Sequence, residues 1–185
     1  MSIPKCKHFF KKLDKFSVCA MKADRGWIGV EQEPDSYGVY VYVVHGRARI
    51  GVPFEKEYFE VKSKDFFSMQ HLLHEPIMME TYDDLYIIAF NSINKNKPFT
   101  GSGTTGEVWD GKLVTEPTLH VSKESHLICF DGNPIVNGKQ LERFDYADIS
   151  PDRTYEINLN DGALGLFTEV SFTDEEFYDK LFPDS

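Results

Sequence analysis

One piece of β-structure is written twice along this chain, and it limits the possible folds more than any other feature. Tyr40-Val41-Tyr42-Val43-Val44-His45-Gly46 is an apolar run ending at a glycine, followed by an alternating stretch and later by Lys64-Asp65-Phe66. His126-Leu127-Ile128-Cys129-Phe130-Asp131-Gly132 repeats the run and its glycine, passes through Asn137-Gly138, and reaches Phe144-Asp145-Tyr146. Each copy reads as a strand, a glycine turn, a return strand and an aspartate that opens the next strand. Gly46 and Asp65 are 19 positions apart, against 13 for Gly132 and Asp145, so the first copy is expected to carry the longer hairpin, around Gly51-Val52-Pro53-Phe54. The pattern predicts an all-β fold built as a duplicated small barrel.

The rest of the chain is consistent with that grammar. Phe16, Val18 and Ala20 alternate with polar or smaller neighbours, and Trp27-Ile28-Gly29-Val30 is a second apolar run, closed by a turn over Glu33-Pro34-Asp35-Ser36. From Val39 to Val44 the residues are β-branched or aromatic, as in a central strand buried on both faces. Arg47-Ala48-Arg49-Ile50 alternates and predicts one wet face, and Leu85 to Phe90 closes the first half. Asn137-Gly138 predicts a type I′ hairpin, which needs positive φ at both central residues. Asn158 to Asp161 is expected to turn Tyr155-Glu156-Ile157 back into the run Gly165 to Val170.

Short helices are expected at the two ends. Lys5, Lys7, Lys11, Lys12 and Lys15 are spaced among Phe9, Phe10, Leu13 and Phe16 at roughly helical intervals, giving an amphipathic segment with a basic, solvated face. Thr173-Asp174-Glu175-Glu176 resembles a capping box before a helix ended by Pro183. Between Asn91 and Lys112 the composition shifts to Asn, Lys, Thr, Ser and Gly, which predicts a surface linker. Its Gly101-Ser102-Gly103-Thr104-Thr105-Gly106 string lacks the leading strand and following helix that a phosphate loop needs. The expected organisation is therefore an N-terminal helix and first half over 1–93, a polar linker over 94–112, and a second half with a C-terminal helix over 113–185.

Charge and cysteine usage exclude several functions. The formal net charge is -10 and the pI near 5.0, which opposes nucleic-acid binding because neutralising phosphates supplies most of that affinity. Cys6, Cys19 and Cys129 are an odd number without CxxC spacing, so neither a disulfide framework nor a structural zinc site is expected. The basic N-terminus has no apolar run like that of a signal peptide, and no stretch approaches the roughly 20 apolar residues of a membrane helix. A cytoplasmic location without a membrane partner is the corresponding expectation.

From Lys15 to Phe172, the strand order and the glycine and aspartate punctuation resemble the cupin superfamily, in its two-barrel or bicupin arrangement. The resemblance implies a duplicated jelly-roll barrel, a ligand site at a barrel mouth, and homodimers paired through edge strands. Metal-binding cupins carry HxH, a glutamate seven positions before the strand-ending glycine, and a third histidine in the next strand pair. No HxH occurs here, and the glutamate position holds Val39 in the first copy and Ser125 in the second, with Glu124 one place off. No metal or other cofactor is therefore expected.

The site residues that this reading offers lie in the first copy. His45 follows Val39, Val41 and Val43 on the inward face of a regular strand, and Tyr40 and Tyr42 lie on the same strand. His71 and His74 fall near the place of the family's third histidine. The expected function is metal-independent binding of a small molecule of unknown identity by His45, Tyr40, Tyr42, His71 and His74. The second-copy residues Ser125, Leu127 and Cys129 read as packing residues, with an inert buried thiol. A fainter resemblance, of Asp24-Arg25-Gly26-Trp27 and Val30-Glu31-Gln32 to cupin-fold sugar-nucleotide isomerases and epimerases, implies the alternative. There His45 would be the base and Tyr40 or Tyr42 the acid.

Overall fold

The computed structural model describes residues 2–12, 16–31, 37–52, 57–68, 77–92 and 106–172. His71, His74, the hairpin tip at 53–56, the Gly101–Thr105 string and the expected C-terminal helix lie outside the described residues. Inside them every regular element is a β-strand. The chain divides into two compact units, the second of which is Glu107–Ser171.

In the first unit the strands are β1 (Cys6–Lys12), β2 (Phe16–Ala23), β3 (Ile28–Glu31), β4 (Tyr37–His45), β5 (Arg47–Val52), β6 (Glu57–Lys62), β7 (Phe66–Ser68), β8 (Ile77–Thr81) and β9 (Leu85–Ser92). They form one sheet in the order β1-β2-β9-β4-β7 and another in the order β3-β8-β5-β6. The strands of the second unit are β10 (Gly106–Leu113), β11 (Thr118–Leu119), β12 (Ser125–Asp131), β13 (Ile135–Val136), β14 (Lys139–Gln140), β15 (Tyr146–Ile149), β16 (Tyr155–Asn158) and β17 (Ala163–Phe172). Their sheets run β10-β17-β12-β15 and β11-β16-β13-β14. Without β1, the first unit has the same order, strand for strand: β2 corresponds to β10, β3 to β11, and so on to β9 and β17. The fold is a duplicated antiparallel jelly roll.

Matching turns set the repeat at the level of single atoms. Val43 N donates to Asp65 O at 2.9 Å and Lys64 N to Val43 O at 2.8 Å; Cys129 N donates to Asp145 O at 2.9 Å and Phe144 N to Cys129 O at 2.7 Å. The carboxylate of Asp65 accepts from Lys62 N at 2.9 Å, and that of Asp145 from Glu142 N at 2.8 Å. Lys64 and Phe144 occupy the left-handed region, with φ of 73° and 70°. An aspartate is favoured here because its short side chain satisfies a backbone N–H of its own turn. Asn137 and Gly138 have φ of 49° and 80°, as the I′ hairpin requires.

Each unit has its own apolar core. Val41 and Val43 of β4 join Met21, Ile50, Val61, Met79, Leu85 and Ile87 in the first; Leu127 and Cys129 of β12 join Val136, Leu141, Ile149 and Leu166 in the second. Alternation along the strands turns Tyr40 and Tyr42 to the outer face of the large sheet, where they are nevertheless buried together with Val18, Ala20 and Ile88. Buried on both faces, β4 fits its uninterrupted apolar sequence.

Two expectations are corrected. The basic N-terminal segment is the strand β1, paired with β2 from Cys6 opposite Ala23 to Lys12 opposite Ser17. A helix of only seven residues gains little on its own, whereas the β2 edge offers a full ladder of partners. The polar stretch expected as a linker is entered by β10, which begins at Gly106. No helix among the described residues is long and apolar enough to cross a membrane.

Candidate functional site

His45 is not on the inward face. The pairing of β4 with β9 shifts between Val43 and His45, so that Val43 opposes Ile87 while His45 opposes Tyr86. The extra residue reverses the alternation. His45 is exposed at the strand end, with its ring edge-on to that of Tyr86 at 6.4 Å. Lys22 Nζ lies 4.9 Å from the centre of the same ring. Tyr40 stacks on Phe66, with ring centres 5.5 Å apart and 8° between planes. His45, Tyr40 and Tyr42 therefore share the outer face of the sheet and do not face one another across a barrel cavity, because the interior is filled by the apolar core.

The Asp24-Arg25-Gly26-Trp27 segment is a turn fastened to β8. Thr81, 2% exposed, donates its hydroxyl to Asp24 O at 2.6 Å and accepts from Trp27 N at 2.9 Å. Arg25 N donates to Asp84 Oδ1 at 2.9 Å. This holds Arg25 at the end of the barrel where β5 starts and β6 finishes.

At that end is an open cleft of about 620 Å3 lined by Arg25, Arg47, Glu60, Lys62, Asp65 and Tyr82, with Ala48 and Val61 from the core. Arg47 and Lys62 are cross-strand partners. Arg47 Nε donates to Asp83 Oδ2 at 2.8 Å, and this hydrogen bond holds the Asp83 carboxyl below the usual carboxylate range. The pair is solvated and adds little stability. Its effect is to fix the direction of the Arg47 guanidinium, whose remaining N–H groups are directional donors. Asp65 is committed to its own turn. Cations outnumber carboxylates in the lining, and Tyr82 adds a phenol. Sequence reasoning did not bring these residues to one site because they stand on β5, β6 and three separate turns, far apart in one dimension.

The second unit has a counterpart to Tyr40 that sequence reasoning also missed. His126, 5% exposed, places Nδ1 at 2.8 Å from Asp148 Oδ1 and stacks on Tyr146 at 5.5 Å. It repeats the Tyr40–Phe66 contact at the equivalent positions. Alternation along β12 was the available signal, since a histidine next to Leu127 must face away from the core. Cys129 is buried in that core, where loss of solvation pushes its thiol up from 9.0 to about 11.

No protein-family model and no curated protein matches the sequence. Among solved structures, oxalate decarboxylase from Bacillus subtilis, described with Mn(II) centres, aligns over 85% of this chain and 71% of its own with a TM-score of 0.54 and 10% identity. The fold is the cupin barrel. Other similar structures include a cupin 2 conserved barrel domain protein from Leptotrichia buccalis (TM-score 0.45, 11% identity, 92% of this chain and 90% of that one). Ectoine synthase from P. lautus covers 50% of this chain and 67% of its own, with a TM-score of 0.42 and 12% identity.

The donors at one position of the second barrel bear on whether a metal fits there. Ser125, at the glutamate position of the second barrel, is fully buried. Its hydroxyl donates to Lys123 O at 2.9 Å and lies 2.8 Å from Thr168 Oγ1. Paired neutral hydroxyls are poor ligands for a divalent transition metal, which selects imidazole, thiolate and carboxylate. Among the described residues no three His, Cys, Asp or Glu side chains converge.

Proposed function

We propose that the protein is a bicupin that binds a small polar metabolite at the first barrel without using a metal. The supporting observation is the 620 Å3 cleft, which falls within the range of about 300–1,000 Å3 typical of ligand sites. Its charges are held in place by the Arg47–Asp83 bond and the Asp24–Arg25 turn. Arg25, Arg47 and Lys62 supply donors to a carboxylate or phosphate, Glu60 accepts from an amine or hydroxyl, and Tyr82 offers one further polar contact. His45, Tyr40 and Tyr42 do not line this cleft, so the ligand contacts pass to the β5–β6 end of the barrel. The acid–base reading needs a histidine and a tyrosine across one cavity, and no observation favours it. Homodimerisation through a sheet edge belongs to the same proposal, because β1 adds an outer strand to the first unit with no counterpart among the described residues of the second.

Native mass spectrometry against a pooled set of polar metabolites tests the binding reading. One adduct per chain is expected, retained after EDTA and lost in Arg47→Ala with Lys62→Ala. No adduct on the wild-type protein, or one that needs added metal, would overturn it. Solution scattering at micromolar concentration is expected to give the mass of a dimer, and a monomer would remove that part.

A further inference from the structure

The second unit has an opening of its own, and its lining sorts charge in a way the surrounding sequence does not. The cleft encloses about 260 Å3 and is lined by Lys112, His120, Ser122, Lys123, Ser125 and Thr168, with Val121 and Leu166 from the core. Between Glu107 and Ser171 there are 12 acidic and five basic residues. Two of those five basic residues line the cleft, and among the described residues no acidic side chain does. Concave walls of one sign focus potential, which is the physical basis for an anion site within a unit of net negative charge.

Hydroxyl bookkeeping shows which groups remain for a ligand. Ser125 donates its single hydrogen to Lys123 O at 2.9 Å, so in the 2.8 Å contact between the hydroxyls Thr168 is the donor. The buried pair is satisfied internally and fastens the Ser122-Lys123-Glu124 loop to β17. Ser125 is thus a positioning residue. The Lys112 and Lys123 ammonium groups, the His120 ring and the Ser122 hydroxyl have no side-chain partner among the described residues. Apart from the acceptor lone pairs of the hydroxyls and the ring, these groups are donors, and two of them carry full charge.

We propose that this cleft is a binding site for a small oxyanion, a phosphate or carboxylate on a compact organic group, with Lys112 and Lys123 supplying charge and His120 and Ser122 supplying direction. Charge-assisted N–H and O–H donors of this kind are the usual oxyanion partners. Leu166 and Val121 leave an apolar wall for the organic part. The site is separate from the first-unit cleft and does not depend on it.

Titration calorimetry with inorganic phosphate, glycerol 3-phosphate and acetate tests the proposal on the full chain. Saturable binding of at least one probe is expected, weakened about tenfold or more in Lys112→Gln with Lys123→Gln, which corresponds to about 1.4 kcal/mol. Tighter binding of glycerol 3-phosphate than of phosphate would support the organic group, and preference for acetate would point to a carboxylate ligand. Both lysines are exposed, so the double variant is expected to keep the wild-type unfolding curve. Lys139→Gln, which removes an exposed lysine elsewhere in the unit, is expected to leave binding unchanged. An equal loss in Lys139→Gln, unchanged binding in the double variant, or no saturation by any probe below about 10 mM would overturn the proposal.

Discussion

Burial of one thiol sets a pH dependence for the whole chain. Cys129 has no exposed surface, and loss of solvation pushes its pKa from 9.0 to about 11. The folded state therefore holds this proton more tightly than the unfolded chain does. The stability linked to it is complete below pH 9 and is lost as pH rises towards 11. Denaturation midpoints measured at pH 8 and pH 10.5 are expected to fall further for wild type than for Cys129→Ala. A parallel fall in both would remove Cys129 as the cause. At pH 8 the variant itself is expected to cost about 1–2 kcal/mol, as a small cavity in a packed core does. A thiol-specific reagent is expected to modify Cys129 only in denaturant. The buried, inert character of this residue was legible from its place in an apolar run. The outward turn of His45 was not, because it depends on a bulge against β9 that is invisible in either strand alone.

The turns between strands carry more of the repeat than the strands themselves. Gly46 has a φ of 98° and packs so closely on Asp84 that a Cβ would collide with the Asp84 carbonyl oxygen. Gly46→Ala is expected to destabilise by on the order of 2 kcal/mol or more, through strain and collision together, as a chemical unfolding curve would show. A loss under about 0.5 kcal/mol would mean that the turn relaxes. In the second unit the Tyr155 hydroxyl accepts from Ser150 N at 2.9 Å and Arg153 Nε at 3.1 Å, tying the end of β15 to the start of β16. The Ser150 bond, followed by Arg153, lowers the Tyr155 pKa. Tyr155→Phe is expected to cost about 1–2 kcal/mol, since it strands a backbone donor, and to speed hydrogen exchange at Ser150. The Asn137-Gly138 hairpin and the two turn aspartates were readable as sequence because each satisfies its own backbone locally. The N-terminal strand was not, because its structure comes from pairing with β2, and its local spacing, with Cys6, Phe9 and Phe10 at helical intervals, points the other way.

At the level of the molecule, two apolar cores with one strand order are carried by a chain of net charge -10. A net charge of this sign opposes association with a phosphate backbone. Fluorescence anisotropy with a labelled DNA duplex at physiological salt is expected to show no saturable binding up to about 100 μM protein, beyond even typical non-specific affinities. Saturation at low micromolar protein would contradict the charge argument. The oxyanion cleft of the second unit is compatible with this result, because two lysines in a small concavity suit a small ion and not a polymer.

The sequence by itself determined the class of fold, the duplication and the two matching turns, because apolar alternation, positive-φ glycines and turn aspartates act over a few residues. Only the tertiary structure decided which charged side chains meet. Arg25, Arg47, Lys62 and Tyr82 converge from four places in the first unit, and Lys112, His120 and Lys123 from three in the second. Such convergence is set by sheet pairing and register between strands far apart in the chain, which no local pattern encodes.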